Sequence, residues 1–415
     1  MSSKSMPAPF TSYQKFVVLM LAFLQFTIIL DFMIMAPIGA ILMPALKITP
    51  AQFSLVVSAY AFSAAASGIL AAGVADRFDR KKLLLFFYTG FLVGTLVCGL
   101  APDYHVLLIA RLVTGIFGGV IGAIVLAITT DLFAYEQRGR VMGLLSTAFA
   151  ASQILGVPAG LYFSALWGWH APFLMIVAFG IAAGVFILMR LKPVDQHLSY
   201  KIDKSPFHHL WSTIATPRYQ LGLAVTGMIS IGGFLLMPLG SAFMVNNVGI
   251  SLEELPLVYL STGLAAIVFG PLMGRAADAI GKFPVFIFGM VVSAVSVVIY
   301  THLGTTPLAP VIAINVVLFI GIMGRMVTTQ ALVSALPARE SRGSFMAVSS
   351  SLQQFTGGLA SILSGLIVTE TAGGKLEHFE VLGYIIVVTG LISTFMIYRV
   401  QKTVVASLAP PATTP

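Results

Sequence analysis

Apolar stretches of about 20 residues or more, each long enough to cross a roughly 30 Å hydrocarbon layer as a helix, recur twelve times along this chain. They fall near 15–45, 50–75, 82–101, 105–133, 139–166, 170–191, 219–246, 254–277, 283–302, 309–337, 344–369 and 380–399. A segment in lipid must satisfy its own backbone polar groups, which leaves helices or a closed barrel. These runs are too long and continuous for alternating barrel strands, so the expected fold is an all-α membrane protein of twelve transmembrane helices. The composition agrees: 58% of 415 residues are hydrophobic and 9% charged, where about 25% charged is usual in a soluble domain. Lys4 and Lys15 precede the first run as in a secretory signal, but its length and the spans that follow mark it as an uncleaved helix. With Cys98 the sole cysteine, neither an internal disulfide nor a Cys-based metal site can be assembled, and no metal or other cofactor is expected.

Orientation follows from the basic residues. With the N-terminus inside, the cytoplasmic segments collect nearly all of them, including Arg77, Arg80, Lys81, Arg138, Arg140, Arg190, Lys192, Arg218, Arg275, Lys282, Arg342, Arg399 and Lys402. The outer side keeps Lys47 and Lys375. This positive-inside bias places both termini of a multi-pass protein in the cytoplasm, and an inner or plasma membrane is expected. It also accounts for the net charge of +8, and charges scattered over short loops do not form a nucleic-acid face. The longest polar stretch, 192–218, reads as a cytoplasmic linker between an N-terminal six-helix domain, 1–191, and a C-terminal one, 219–415. His197, His208 and His209 are read as solvated linker residues, and Phe207, Leu210 and Trp211 as an interfacial turn against the headgroups.

The two halves repeat. "GVADRFDRKKLL" follows the second span and "GRAADAIGKFPV" the eighth, with Asp76 and Asp278 202 residues apart (278 less 76). "EQRGRVMG" follows the fourth span and "ESRGSFMA" the tenth, with Arg138 and Arg342 204 apart (342 less 138). Six helices per half send both halves into the membrane the same way, the parallel repeat related by an axis along the membrane normal.

These loops resemble the major facilitator superfamily, whose pattern Gly-x-Leu-Ala-Asp-Arg-x-Gly-Arg-Arg/Lys is matched at Val74, Ala75, Asp76, Arg77, Arg80 and Lys81. Ala72 and Asp79 stand at its two glycine positions, and Gly274, Asp278, Gly281 and Lys282 keep the frame in the second half. The resemblance implies secondary transport by two pseudo-symmetric six-helix domains. Within the family, "LDFMIMAPIGAILMPAL" and "ILGVPAGLYFSALWGWHAPF" look most similar to twelve-helix drug:proton antiporters and the sugar-efflux, arabinose-efflux-permease-like branch. Gly156, Pro158 and Gly160 resemble that group's antiporter motif; ordinary small-residue packing explains them equally well. The resemblance further implies that the motif charges latch the cytoplasmic side in the outward-facing state. Here these are Asp76, Arg77, Arg80, Asp131 and Arg138 in one half, and Gly274, Arg275, Asp278 and Arg342 in the other.

Three ionisable residues lie well inside spans: Asp31, Arg111 and Arg325. Each costs about 2.5–3.5 kcal/mol even on a lenient insertion scale, so each is expected to face a cavity or a partner. "RLVTG" at 111–115 resembles the family's Arg-x-x-Gln/Thr-Gly motif, associated there with proton coupling. Asp31 is expected to carry the proton, with Arg111 tuning it across roughly 8 Å of helix height, bridged by the long side chain, a water or a conformational change. Substrate recognition by the same carboxylate, or a permanent packing pair with Arg111 or Arg325, are the other readings. Arg325 suits an anionic or hydroxyl-rich substrate, or snorkels to the cytoplasmic side, or pairs with Asp31. Gln25, Phe32, Gln153, Phe234, Asn315, Gln353 and Gln354 complete the candidate substrate cavity.

The chain has no Gly-x-x-x-x-Gly-Lys-Ser/Thr loop for an ATP-driven pump, and neither Gly-x-Ser-x-Gly nor His-Glu-x-x-His for a hydrolase. It is read as a non-enzymatic, monomeric, proton-driven exporter of a small molecule such as a drug or sugar. A passive facilitator of a sugar or other metabolite is the alternative.

Overall fold

A computed structural model of the chain describes residues 9–74, 78–195, 198, 213–338 and 341–408. It is nearly all helix, and every expected span is there within a few residues. The first half runs α1 (Ser12–Ile34), α2 (Gly39–Leu46), α3 (Pro50–Val74), α4 (Arg80–Leu100), α5 (Tyr104–Leu132), α6 (Tyr135–Ala151), α7 (Val157–Trp167) and α8 (Ala171–Arg190). The second runs α9 (Pro217–Phe234), α10 (Gly240–Phe243), α11 (Leu255–Ile280), α12 (Lys282–Thr301), α13 (Leu308–Ser334), α14 (Arg342–Ile367) and α15 (Phe379–Leu408). Ten segments are long and apolar enough to cross a membrane alone. Among the described residues the other two are the broken α9–α10 span and the Ser-, Gly- and Gln-rich α14.

Three spans are not plain helices, and proline explains each. The first breaks at 35–38 and the seventh at 235–239, where Pro37 and Pro238 lack the amide that would continue the i→i−4 ladder. In the fifth, Pro158 leaves the ladder one donor short. The chain absorbs this as a π-helical turn, Ser152–Gly156, in which the Val157 amide reaches back to the Ser152 carbonyl. A short hairpin absent from the sequence reading pairs β1 (Thr369–Glu370) with β2 (Leu376–Glu377), antiparallel, in register Thr369 to Glu377. Asn246 and Asn247, at the end of the seventh span, hold it by donating to the Gly374 and Leu376 carbonyls at 2.8 Å each.

Packing differs between the two faces. On the face opposite the basic loops a single apolar core includes Ile38, Leu42, Phe53 and Trp169 of the first half and Leu239, Phe243, Tyr300 and Phe379 of the second. On the basic face each half has its own core, one around Leu24, Leu84, Ile124 and Val141, the other around Phe286, Leu332, Phe345 and Ile397. Between the halves, α3 packs along α14 and α7 against α11. Small residues permit the approach: a Cβ on Gly365 would lie 2.6 Å from the Ser54 Cβ, and one on Gly263 2.9 Å from Ile154. With lipid as apolar as the side chains, such close packing supplies much of the attraction between helices.

Candidate functional site

The first half buries an ion pair. Asp31 lies one turn before the α1 break, and Arg111 lies two turns into α5. The Arg111 Nη1 donates to Asp31 Oδ2 at 2.7 Å, with both side chains at most 1% exposed. The long guanidinium arm thus closes the expected height gap by itself, without a bridging water. Thr95 of α4 brings its hydroxyl within 3.2 Å of Asp31 Oδ1 and 3.0 Å of the Phe91 carbonyl. The Tyr60 ring of α3 takes the other side of the guanidinium, its centroid 4.6 Å from Cζ, a cation–π contact that a dry site strengthens. Among the described residues the Arg111 Nε has no hydrogen-bond partner. Four helices therefore meet at one pair of charges, and removing either partner would strand the other in a low-dielectric site.

Glycines set the helices this close. A Cβ on Gly115 would sit 2.5 Å from the Tyr60 carbonyl, and one on Gly94 2.7 Å from the Thr114 hydroxyl. From the pair a run of rings leads to the other half: Tyr60 to Phe32 at 5.4 Å and Phe32 to Phe234 at 6.0 Å between centroids. Phe32 and Phe234 were expected in the cavity and are both half-buried at this seam. Sequence reading missed Tyr60, Thr95 and Ser293, because hydroxyl and aromatic residues are ordinary in apolar spans.

Arg325 behaves differently from two of its expectations. It neither pairs with Asp31 nor snorkels to the basic face. It is 6% exposed, and its Nη1 donates to the Ser293 hydroxyl of α12 at 3.3 Å while its Nε has no partner among the described residues.

The remaining candidates scatter. Gln153 is buried in the π turn of the fifth span, against Gly263 of α11, and Asn315 spends its amide on the Val311 carbonyl of its own helix at 2.9 Å. Gln25 and Gln354 are half-buried and Gln353 is exposed. Gly156 and Gly160 face Leu30 and Ile34, seating the fifth span on the first, and Pro158 stands near the start of α7.

The loop charges of the first half include an ion pair. Arg80 Nε lies 3.3 Å from Asp131 Oδ2. Arg138 does not extend this pair to its own side: its guanidinium donates to the Phe133 and Thr130 carbonyls at 3.1 and 2.7 Å. Among the described residues Arg275, Asp278 and Arg342 make no ion pair, so the expected second network is not assembled; a Cβ on Gly274 would meet only Val327, at 3.8 Å. Asp76 and Arg77, with the linker residues His197, Phe207, His208, His209, Leu210 and Trp211, lie outside the described residues.

Two six-helix halves, joined at one face and with a buried ion pair inside the first, define a membrane transporter of the two-domain kind. The chain belongs to the Major Facilitator Superfamily: that family's profile matches it twice, over residues 21–243 and 222–414. The uncharacterised MFS-type transporter YceJ of Bacillus subtilis (strain 168) is 24% identical over 269 residues, covering 64% of this chain and 68% of YceJ. Multidrug resistance protein 3 of the same strain is 32% identical over 152 residues, 37% of this chain but 30% of that protein. Among solved structures, a bacterial homologue of the human lysosomal transporter Spinster, in an inward-facing, unoccupied conformation, superposes with a TM-score of 0.80. It covers 97% of this chain and 100% of its own at 16% identity, a likeness of fold.

Proposed function

We propose that the protein exports a small molecule in exchange for protons by alternating access, residues 1–191 rocking against 219–415. The observation that carries this reading is the fully buried Asp31–Arg111 pair beside the α1 break. A carboxylate parted from its guanidinium in a low-dielectric site takes up a proton, and one returned to it gives the proton up. Rocking that moves α1 relative to α5 therefore turns a change of conformation into proton uptake on one side and release on the other. Export is supported by the multidrug resistance names among the relatives and by the antiporter-like Gly156, Pro158 and Gly160.

The working picture is a monomer in a bacterial inner membrane with both termini inside, driven by the proton gradient without a cofactor. The shared core then closes the outer side, and the basic loops mark the open cytoplasmic side. Arg80 and Asp131, with Asp76, Arg77 and Arg138, form one half of the cytoplasmic gate. Gly274, Arg275, Asp278 and Arg342 form the other, engaged when that side closes. A carboxylate capping a helix N-terminus is worth about 0.3–1 kcal/mol, enough to bias the rocking and weak enough to break.

The test is proton movement in proteoliposomes holding a pH dye, challenged with lipophilic cations, sugars and organic anions, wild type beside Asp31→Asn. A solute should drive proton flux in the wild type, and Asp31→Asn should abolish the flux while retaining solute exchange. Downhill, pH-independent transport unchanged by Asp31→Asn would establish a passive facilitator and end the antiport reading.

A further inference from the structure

Arg325 is a permanent cation sealed inside the second half. A guanidinium has five N–H donors, yet among the described residues its one hydrogen bond goes to Ser293, and its buried Nε has none. Arg111, by contrast, is neutralised on the spot by Asp31. Among the described residues the acidic groups of the second half offer no such relief: Glu253 and Glu254 precede α11, Asp278 lies in its last turn, and Glu370, Glu377 and Glu380 belong to the hairpin and the start of α15. Well inside the spans stand one carboxylate, Asp31, and two guanidiniums, Arg111 and Arg325, and among the described residues the one without a carboxylate beside it is in the second half. A bare charge at this depth is costly, so its retention calls for a counter-ion that comes and goes.

The surroundings fit an entering anion. Arg325 Nη2 lies under Gly232 of α9, 3.7 Å from where a Cβ would stand, and Thr389 of α15 puts a hydroxyl 3.5 Å from the same point. A Cβ on the next residue, Gly233, would meet nothing within 4 Å. This bare step of α9 ends at Phe234, whose ring faces Phe32 across the seam. A charged group seated on Arg325 and Ser293 would leave the rest of its molecule among aromatic rings.

We infer that Arg325 and Ser293 bind the anionic head of the transported molecule, a carboxylate, sulfonate or phosphate monoester on an apolar body. This rests on the transporter reading and names its substrate class. Substrate and proton then occupy different halves, and they are coupled through the rocking motion, not through competition for one group.

The test is thermal stabilisation of the purified protein in detergent by 1-naphthoate, 1-naphthalenesulfonate and 1-naphthyl phosphate, with uncharged 1-naphthamide as the control. At least one anion should stabilise the wild type saturably and the amide should not. Arg325→Gln should weaken that binding about tenfold or more, Arg325→Lys less, because an ammonium replaces the fork as a point charge. Ser293→Ala keeps the cation and guards against misfolding as the cause; it should weaken binding about threefold, the loss of one modest hydrogen bond. Indifference of the wild type to all three anions, equal stabilisation by the amide, or affinity unchanged in Arg325→Gln overturns the assignment. No gradient is needed, so failure here leaves proton coupling through Asp31 standing, and failure of coupling leaves this result standing.

Discussion

The two halves of this transporter share a backbone plan and differ in their polar chemistry. Their first helices break at Pro37 and Pro238, 201 residues apart (238 less 37). Each second span opens on a reciprocal cap: Thr49 with Gln52, and Ser251 with Glu254, both at an offset of 202 (251 less 49). The interior does not repeat. The position 204 residues after Arg111 is Asn315, whose amide is consumed by its own helix, and the position 202 after Asp31 is Gly233. The first half holds a self-neutralised pair, the second a lone cation at another level. Caps and breaks are demanded by the fold in both copies, whereas buried charge is demanded by neither.

That contrast is broken most directly by giving both halves a leucine at the matched position. Arg111→Leu strands Asp31 and should cost about 3–5 kcal/mol while the carboxylate stays ionised, with loss of transport. Asn315→Leu exchanges a locally satisfied amide for an apolar group of similar size and should stay within about 1 kcal/mol. Denaturant unfolding in detergent measures both. Combining Asp31→Asn with Arg111→Leu should recover much of the first loss, since non-additivity is the signature of a direct pair. Equal losses from the two leucines would mean that the halves are equivalent inside as well as out.

A sharper comparison concerns where helix backbones come close in each half. The first uses Gly115 of α5 against the Tyr60 backbone of α3. The second uses Gly321 of α13, where a Cβ would lie 2.6 Å from the Ser293 amide of α12. In both the obstacle is backbone, which cannot rotate away, so Gly115→Ala and Gly321→Ala should each lose about 1–3 kcal/mol, as overpacked cores do. Gly143 and Gly270 have nothing within 4 Å of an added Cβ. Alanine there should be neutral or gain up to about 1 kcal/mol from helix propensity. A thermal-shift series over the four variants checks the ranking, and a loss confined to one half would show that the other half's seam can spread.

The sequence made the spans legible because each must cover the same thickness of hydrocarbon, so even the weakly apolar α14 could be placed by its neighbours. Asp31, Arg111 and Arg325 were equally visible, because a charge in an apolar run has no cheap explanation. What they touch was not visible. Asp31 had two candidate guanidiniums, and only the packing of α1 on α5 decides for Arg111. The surroundings of Arg325 come from Ser293, Gly232 and Thr389 on three separate helices, residues that carry no signal of their own. The direction in which the exposed Gln353 faces was hidden for the related reason that one sequence does not say which way a helix turns. The proline breaks were written at matching positions in both halves. Their effect depends on what receives the freed backbone groups, which is a property of the assembled pair.

That pairing supplies the smallest and most specific expectation. At the α1 break the Ala36 carbonyl accepts the Ser241 hydroxyl of α10 at 2.7 Å, across the seam and fully buried. The same carbonyl also accepts the Gly39 amide at 3.1 Å, so Ser241→Ala removes a bond without leaving an orphan acceptor. Its cost should fall at the low end of the usual range, about 0.5–1 kcal/mol. Because the bond joins the halves only while this face is closed, the cost should appear as a shift of the rocking equilibrium by a factor of about 2–5 toward opening, with little change in unfolding. A reporter cysteine at Leu239, in the shared core, reads that shift as faster maleimide labelling from the side opposite the basic loops, and Cys98, itself buried, adds little background. A fall in unfolding stability with unchanged labelling would make the bond a packing contact and leave the apolar core as the whole of the closure.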